Sequence, residues 1–174
     1  MEASLKQLSD YRNVSTNLPY ILFGALVIDI VVIAMTKANW LGETLKVWYD
    51  QFGLSAVIAD TLILVLGIMI AQYIYTEYFA KSSILVFAAI VAVVQLVHDI
   101  LFYLFAILGT PKGQNKVMDI FKVYADELGG KILYGDLLMI LGSLGVAVAS
   151  MSLSKPLFAF LSVLAVYTVP YVIA

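Results

Sequence analysis

The chain has no cysteine and a single histidine among its 174 residues. Disulfides, thiolate metal sites and thiol catalysis are therefore excluded, and so is haem held by two histidines. Charge is scarce as well: 13% of residues are charged against 63% hydrophobic, with a mean hydropathy of +0.99. A soluble domain carries roughly twice that charged fraction, so this chain has too little polar surface to cover a globule in water. Ten Lys and Arg residues with a net charge of −2 cannot gather into a nucleic-acid footprint. No P-loop, dinucleotide fingerprint, serine elbow or paired-histidine zinc motif appears. No cofactor is expected, and an intramembrane enzyme is the least favoured class.

What is present is long apolar runs. Crossing the hydrocarbon core takes about 20 mostly apolar residues in a helix, and five segments qualify: 18–36, 54–77, 82–108, 131–153 and 156–174. None alternates with period two. Since backbone groups in lipid must be satisfied internally, these are helices rather than barrel strands. The expected fold is an all-α integral membrane protein of one domain, 1–174, with five transmembrane helices. Residues 1–17 are polar and of mixed charge. The run after them is too long for a signal-peptide core and lacks a small-residue cleavage site, so it reads as an uncleaved first span. The fifth segment runs to the last residue without an ionisable side chain, and Pro170 is expected to distort its final turn.

Two connections are longer than a turn requires. In 39–53, Leu41, Leu45, Trp48 and Phe52 recur at helical spacing, with Glu43, Lys46 and Asp50 between them. In 115–130, Val117, Ile120, Phe121, Tyr124 and Leu128 do likewise. Both read as amphipathic surface helices stopped by glycine. They also match each other. "LKVWYDQFGLSAVIADTLIL" (45–64) aligns with "FKVYADELGGKILYGDLLMI" (121–140), placing Lys46 on Lys122, Asp50 on Asp126, Gly53 on Gly129 and Asp60 on Asp136. The preceding spans share Leu-Val-x-Asp-Ile, at 26–30 and 96–100. The expected organisation is two tandem repeats of span, amphipathic helix and span, 18–78 and 82–153, plus a fifth C-terminal span. Each repeat holds two spans, so the copies share an orientation and a pseudo-two-fold axis along the membrane normal.

Each of the first four spans carries one aspartate: Asp29, Asp60, Asp99 and Asp136. At 1.5 Å per residue all four fall roughly 10–15 Å from the surface on which the amphipathic connections lie. Facing lipid, four such groups would cost on the order of 10 kcal/mol, comparable with a domain's whole stability. They are expected to face inward, where protons, a cation or neighbouring donors offset their repulsion. Span 3 supplies the richest polar stripe, with Gln95, Asp99 and Tyr103 at i, i+4 and i+8 and His98 at its edge. Thr61, Gln72 and Tyr134 are further candidate partners. A metal site is conceivable from oxygen ligands plus one imidazole, but no known ligand spacing supports it, and the metal is unassigned. Small residues four apart, Gly67 with Ala71 and Gly145 with Ala149, point to close helix packing.

Lys37, Lys46, Lys112, Lys116, Lys122 and Lys131 lie on the side of the amphipathic connections, against Lys6, Arg12, Lys81 and Lys155 opposite. The positive-inside rule then places those connections and the C-terminus in the cytoplasm. "GLSAVIADTLILVLGIMIAQYIY" (53–75), "VQLVHDILFY" (94–103) and "PKGQNKVMDIFKVYADELGG" (111–130) resemble uncharacterised multi-span proteins of large algal DNA viruses. The resemblance covers most of residues 40–140. It implies a virion inner membrane or host membrane and carries no reaction or site residue across.

Two functions remain open on this reading. One is proton or cation handling, channel- or transporter-like, through Asp29, Asp60, Asp99 and Asp136 with His98, Gln95 and Tyr103. The other is a structural membrane or virion component, in which the aspartates are hydrogen-bonding glue between spans. The expected partners are the lipid bilayer, a proton or cation, and further copies of the chain, with no nucleic acid.

Overall fold

In a computed structural model, which describes residues 2–80 and 83–174, eight α-helices and no strand occur among the described residues. Lys81, counted above for orientation, lies outside them. The helices are α1 (Glu2–Ser9), α2 (Val14–Lys37), α3 (Glu43–Phe52), α4 (Leu54–Ile74), α5 (Ile84–Leu101), α6 (Lys116–Leu128), α7 (Lys131–Ser150) and α8 (Lys155–Ile173). A 3-10 turn at Tyr11–Asn13 leads into α2, and π-type turns at Tyr75–Phe79 and Phe102–Ile107 extend α4 and α5. Five of these rods are long and apolar enough to cross a membrane: Tyr11–Lys37, Leu54–Phe79, Ile84–Ile107, Lys131–Ser150 and Lys155–Ile173. The protein is thus an all-helical chain with five candidate spans, as the apolar runs require. Pro170 does not end α8, which continues to Ile173.

Four spans form a ring. α2 packs on α4 and α7, and α5 packs on the same two, so the order around the ring is α2, α4, α5, α7. α8 lies outside it against α2, where Phe158 meets Tyr20 and Phe23. The most extensive contact is α2 on α7. Ile21, Ala25 and Asp29, each four residues from the next and all fully buried, define one face of α2. Gly24 is the point of closest approach, because a Cβ there would come within 2.3 Å of the Ser143 carbonyl oxygen and 3.1 Å of Ala147 Cβ. Gly67 plays a similar part against Ile140. The expected packing role of Gly145 and Ala149 is not met: both are exposed on the outside of α7, and Gly145 has nothing within 4 Å of where its Cβ would stand.

Both ends of the ring are covered. At one end sits α1, which touches α2, α4, α5 and α7 and buries Leu8 completely. The polar first segment is therefore part of the bundle. The Asn17 side chain donates to the carbonyls of Gln7 and Leu8, and Gln72 also donates to Leu8 O. Gln72 is thereby committed to α1 and is no partner for the aspartates. At the other end α3 and α6 pack together. Asn115 caps α6, accepting from the amides of Val117 and Met118. α3 has no cap of its own. The Glu127 carboxylate, from the far end of α6, accepts from the amides of Glu43 and Thr44 at 3.0 Å each. These bonds hold the Glu127 carboxyl below the usual glutamate range, the contacts at Thr44 contributing most.

Each amphipathic helix turns into the next span at a glycine. Gly53 has φ 50° and ψ −123°, and Gly129 has φ 54° and ψ −134°. Backbone at such angles is costly for any residue with a Cβ. The turns close alike: Gly53 N donates to Tyr49 O and Gly129 N to Ala125 O, both at 2.9 Å.

Candidate functional site

Between the roof of α3 and α6 and the upper halves of α4, α5 and α7 lies a cavity of about 620 Å³. The aspartates of three spans line it, Asp60, Asp99 and Asp136, as do Gln95, His98 and Tyr103. Six of the seven residues singled out in the sequence thus meet in one place. The seventh, Asp29, is fully buried on α2 and does not line the cavity. Tyr49 stands between them: its hydroxyl donates to Asp29 Oδ1 at 3.0 Å while the residue also lines the cavity.

The four carboxyls nevertheless form a single electrostatic row. Asp29 interacts with Asp60, and Asp136 interacts with Asp60, Asp99 and His98. They differ in how they are satisfied. Asp60 Oδ2 accepts from the Trp48 indole N–H at 2.9 Å. Asp99 Oδ1 accepts from the Gln95 amide at 2.7 Å and faces His98 Nδ1 at 3.0 Å. Its Oδ2 is buried with no partner among the described residues, although the whole side chain is only 9% exposed. Asp136 has no hydrogen bond or ion pair among the described residues. Only Asp29 is fully buried, so the acidic cluster is better described as one interior carboxyl behind three that border a cavity.

His98 completes the α5 face by stacking on Phe102, with ring centroids 5.8 Å apart. Tyr103 lies just inside the π-type turn Phe102–Ile107. Thr61 stands near Asp29, but its hydroxyl has no hydrogen-bond partner among the described residues, so the expected bond to an aspartate is not formed. Tyr134, two residues before Asp136, is 66% exposed and points away from the site's interior.

The residues that sequence reasoning missed are the roof aromatics. Trp48, Tyr49, Phe121 and Tyr124 all line the cavity. Trp48 packs on Phe52 and Phe121, and Phe121 meets Phe102 edge-on. Their helical periodicity was visible, but it reads equally as a lipid-facing stripe. Burial raises the phenols of Tyr49 and Tyr124 above the ordinary tyrosine value, and nearby carboxylates add to the effect. Both therefore remain O–H donors at neutral pH. Among the described residues no Lys or Arg lines the cavity. Among the described residues no three His, Cys, Asp or Glu side chains are grouped so as to hold a metal ion.

No family model matches this chain, and no curated protein or solved structure is significantly similar to it.

Proposed function

We propose that this multi-span membrane protein handles protons or cations through the acidic cavity. One observation carries the reading: three carboxyls from three different spans and the chain's only histidine line one cavity, with no Lys or Arg in its walls among the described residues. Ionisable side chains are rare within spans because they are costly there, and where they occur they tend to serve a pathway or a bound ion. The test is flux in proteoliposomes, with Asp60, Asp99 and Asp136 changed singly to Asn. Loss of proton or cation flux in these variants is expected; absent flux in the wild type overturns the proposal.

A structural reading has its own support. Asp29 and Asp60 bond to Tyr49 and Trp48, fastening α3 to α2 and α4. If that were their whole purpose, the same Asn variants would lose thermal stability while the wild type moved no ion. Asp136, which has no hydrogen bond or ion pair among the described residues, favours the first reading.

Two wider proposals accompany it. An internal duplication is supported by the matched glycine turns at Gly53 and Gly129 and by the neighbour pattern. Exchanging α2 with α5 and α4 with α7 turns each ring contact into another that is present, and returns the α3–α6 contact to itself. A cytoplasmic orientation for α3 and α6 rests on the lysine distribution, and a host or virion inner membrane rests on the algal-virus resemblance alone.

A further inference from the structure

Building on the cation-handling reading, we infer that the acidic cavity takes an organic cation, an amine or quaternary ammonium carried on an apolar body, rather than a bare metal ion. Three properties of the walls point to this ligand class. The first is unbalanced charge. Among the described residues Asp136 has no hydrogen bond or ion pair, Asp99 keeps one unbonded oxygen, and no basic side chain lines the space beyond His98. A guest that brings positive charge supplies what the walls lack. The second is dispersion of the carboxyls. They come from α4, α5 and α7 and do not gather into a ligand set for one small ion. Hard cations need several oxygens converging at once, whereas an alkylammonium needs one carboxylate and weak contacts around it.

The third is the remainder of the lining. Trp48, Tyr49, Phe102, Tyr103, Phe121 and Tyr124 contribute aromatic rings, with aliphatic side chains of α4 and α7 between them. Aromatic faces attract ammonium groups without binding them as strictly as a carboxylate does. A volume of about 620 Å³ is within the range of small-molecule sites and far larger than a hydrated metal ion requires.

The two halves of the chain show where this space comes from. With 45–64 aligned to 121–140, Trp48 corresponds to Tyr124 and Tyr49 to Ala125. On one side the Tyr49 ring fills the gap and binds the aspartate of the neighbouring span, Asp29. On the other, Ala125 is too short to reach Asp99, the aspartate matched to Asp29, and Ala125 borders the cavity. The missing ring leaves room for a guest.

The protein supplies its own reporter. It has two tryptophans, and Trp40 is 73% exposed and outside the cavity, so the full-length chain with Trp40→Phe leaves Trp48 as the only indole. In lipid nanodiscs, Trp48 emission is titrated with benzyltrimethylammonium and, in parallel, with its neutral counterpart neopentylbenzene, and with Mg2+. Saturable quenching by the ammonium alone is expected. Asp136→Asn should weaken it about tenfold, the loss of one charge-assisted contact. Ala125→Tyr should abolish it, and Ala125→Leu serves the same purpose if the tyrosine variant does not fold. Equal response to the neutral compound, quenching that survives both Asp136→Asn and the Ala125 variants, or saturation by Mg2+ alone overturns the inference. If Trp48 is indifferent to benzyltrimethylammonium while aspartate-dependent proton flux persists in proteoliposomes, the ligand class is wrong and the proposed function stands. If that flux is absent too, both fall.

Discussion

Single atoms decide much of what this protein can be, and the Tyr49 hydroxyl is one of them. Among the described residues it is the only hydrogen-bond donor to Asp29, whose other oxygen has none. Tyr49→Phe strands a fully buried carboxyl and is expected to cost about 1–3 kcal/mol in thermal unfolding in detergent. Trp48→Phe removes the matching bond to Asp60, but Asp60 borders a cavity and is partly exposed. Loss of that bond should cost about 1 kcal/mol, to which the smaller ring adds a cavity cost because Trp48 is buried. A Trp48→Phe variant as stable as the wild type would contradict this account of the site. Gly24→Ala is the third test, since its new Cβ would press on backbone rather than on a side chain that can turn aside. A drop of at least ~1–3 kcal/mol is expected, as for other overpacked interiors. Sequence reasoning found the four aspartates because charge in an apolar run is conspicuous. It missed Gly24 because a glycine's use depends on what lies opposite, and Ser143 and Ala147 are more than a hundred residues away along the chain. It chose Gly145 and Ala149 instead, since their spacing is right and only tertiary contact reveals that they face outward.

Among the elements, α3 and α6 are the most instructive pair. Their amphipathic periodicity was legible, as were their glycine stops, because both are local properties of the chain. What lay beyond local pattern is that the two helices meet and that one caps the other through Glu127. The pH behaviour of that clamp follows from its sign. A carboxyl held below its unfolded value contributes stability that is fully present above the ordinary glutamate range and disappears as pH falls through the lowered folded value. Acidification should therefore free the amides of Glu43 and Thr44, read as faster hydrogen exchange at those two positions after correction for the intrinsic rate. Glu127→Gln should show weak protection there at neutral pH already, with little further change on acidification. Protection that ignores both the variant and the pH would mean that the cap is not what orders α3. α1 is the element the sequence concealed most completely. Its eight residues are polar enough to suggest a tail, yet Leu8 and Leu5 pack on the core and the carbonyls of Gln7, Leu8 and Ser9 accept bonds from Asn17, Gln72 and Thr76.

For the molecule as a whole, the ring is closed by α1 at one end and holds its cavity at the other. Between them lies an apolar core that includes Ile21, Leu64, Ile68, Phe87, Val91 and Ile140. With the ring packed apolar at this level, the protein in a planar bilayer is expected to show no single-channel steps; discrete current steps would show that the packing opens readily. The ring has a temporal consequence too. Its broadest seam joins α2 to α7, so α2 leaves the ribosome well before its main partner does. Until then Gly24 has neither Ser143 nor Ala147 against it, and the face of α2 that the seam buries stays open. Membrane insertion of this protein should therefore favour whatever shields α2 during the wait, and a slowed elongation between residues 37 and 131 should leave α2 the segment most readily claimed by quality-control proteases.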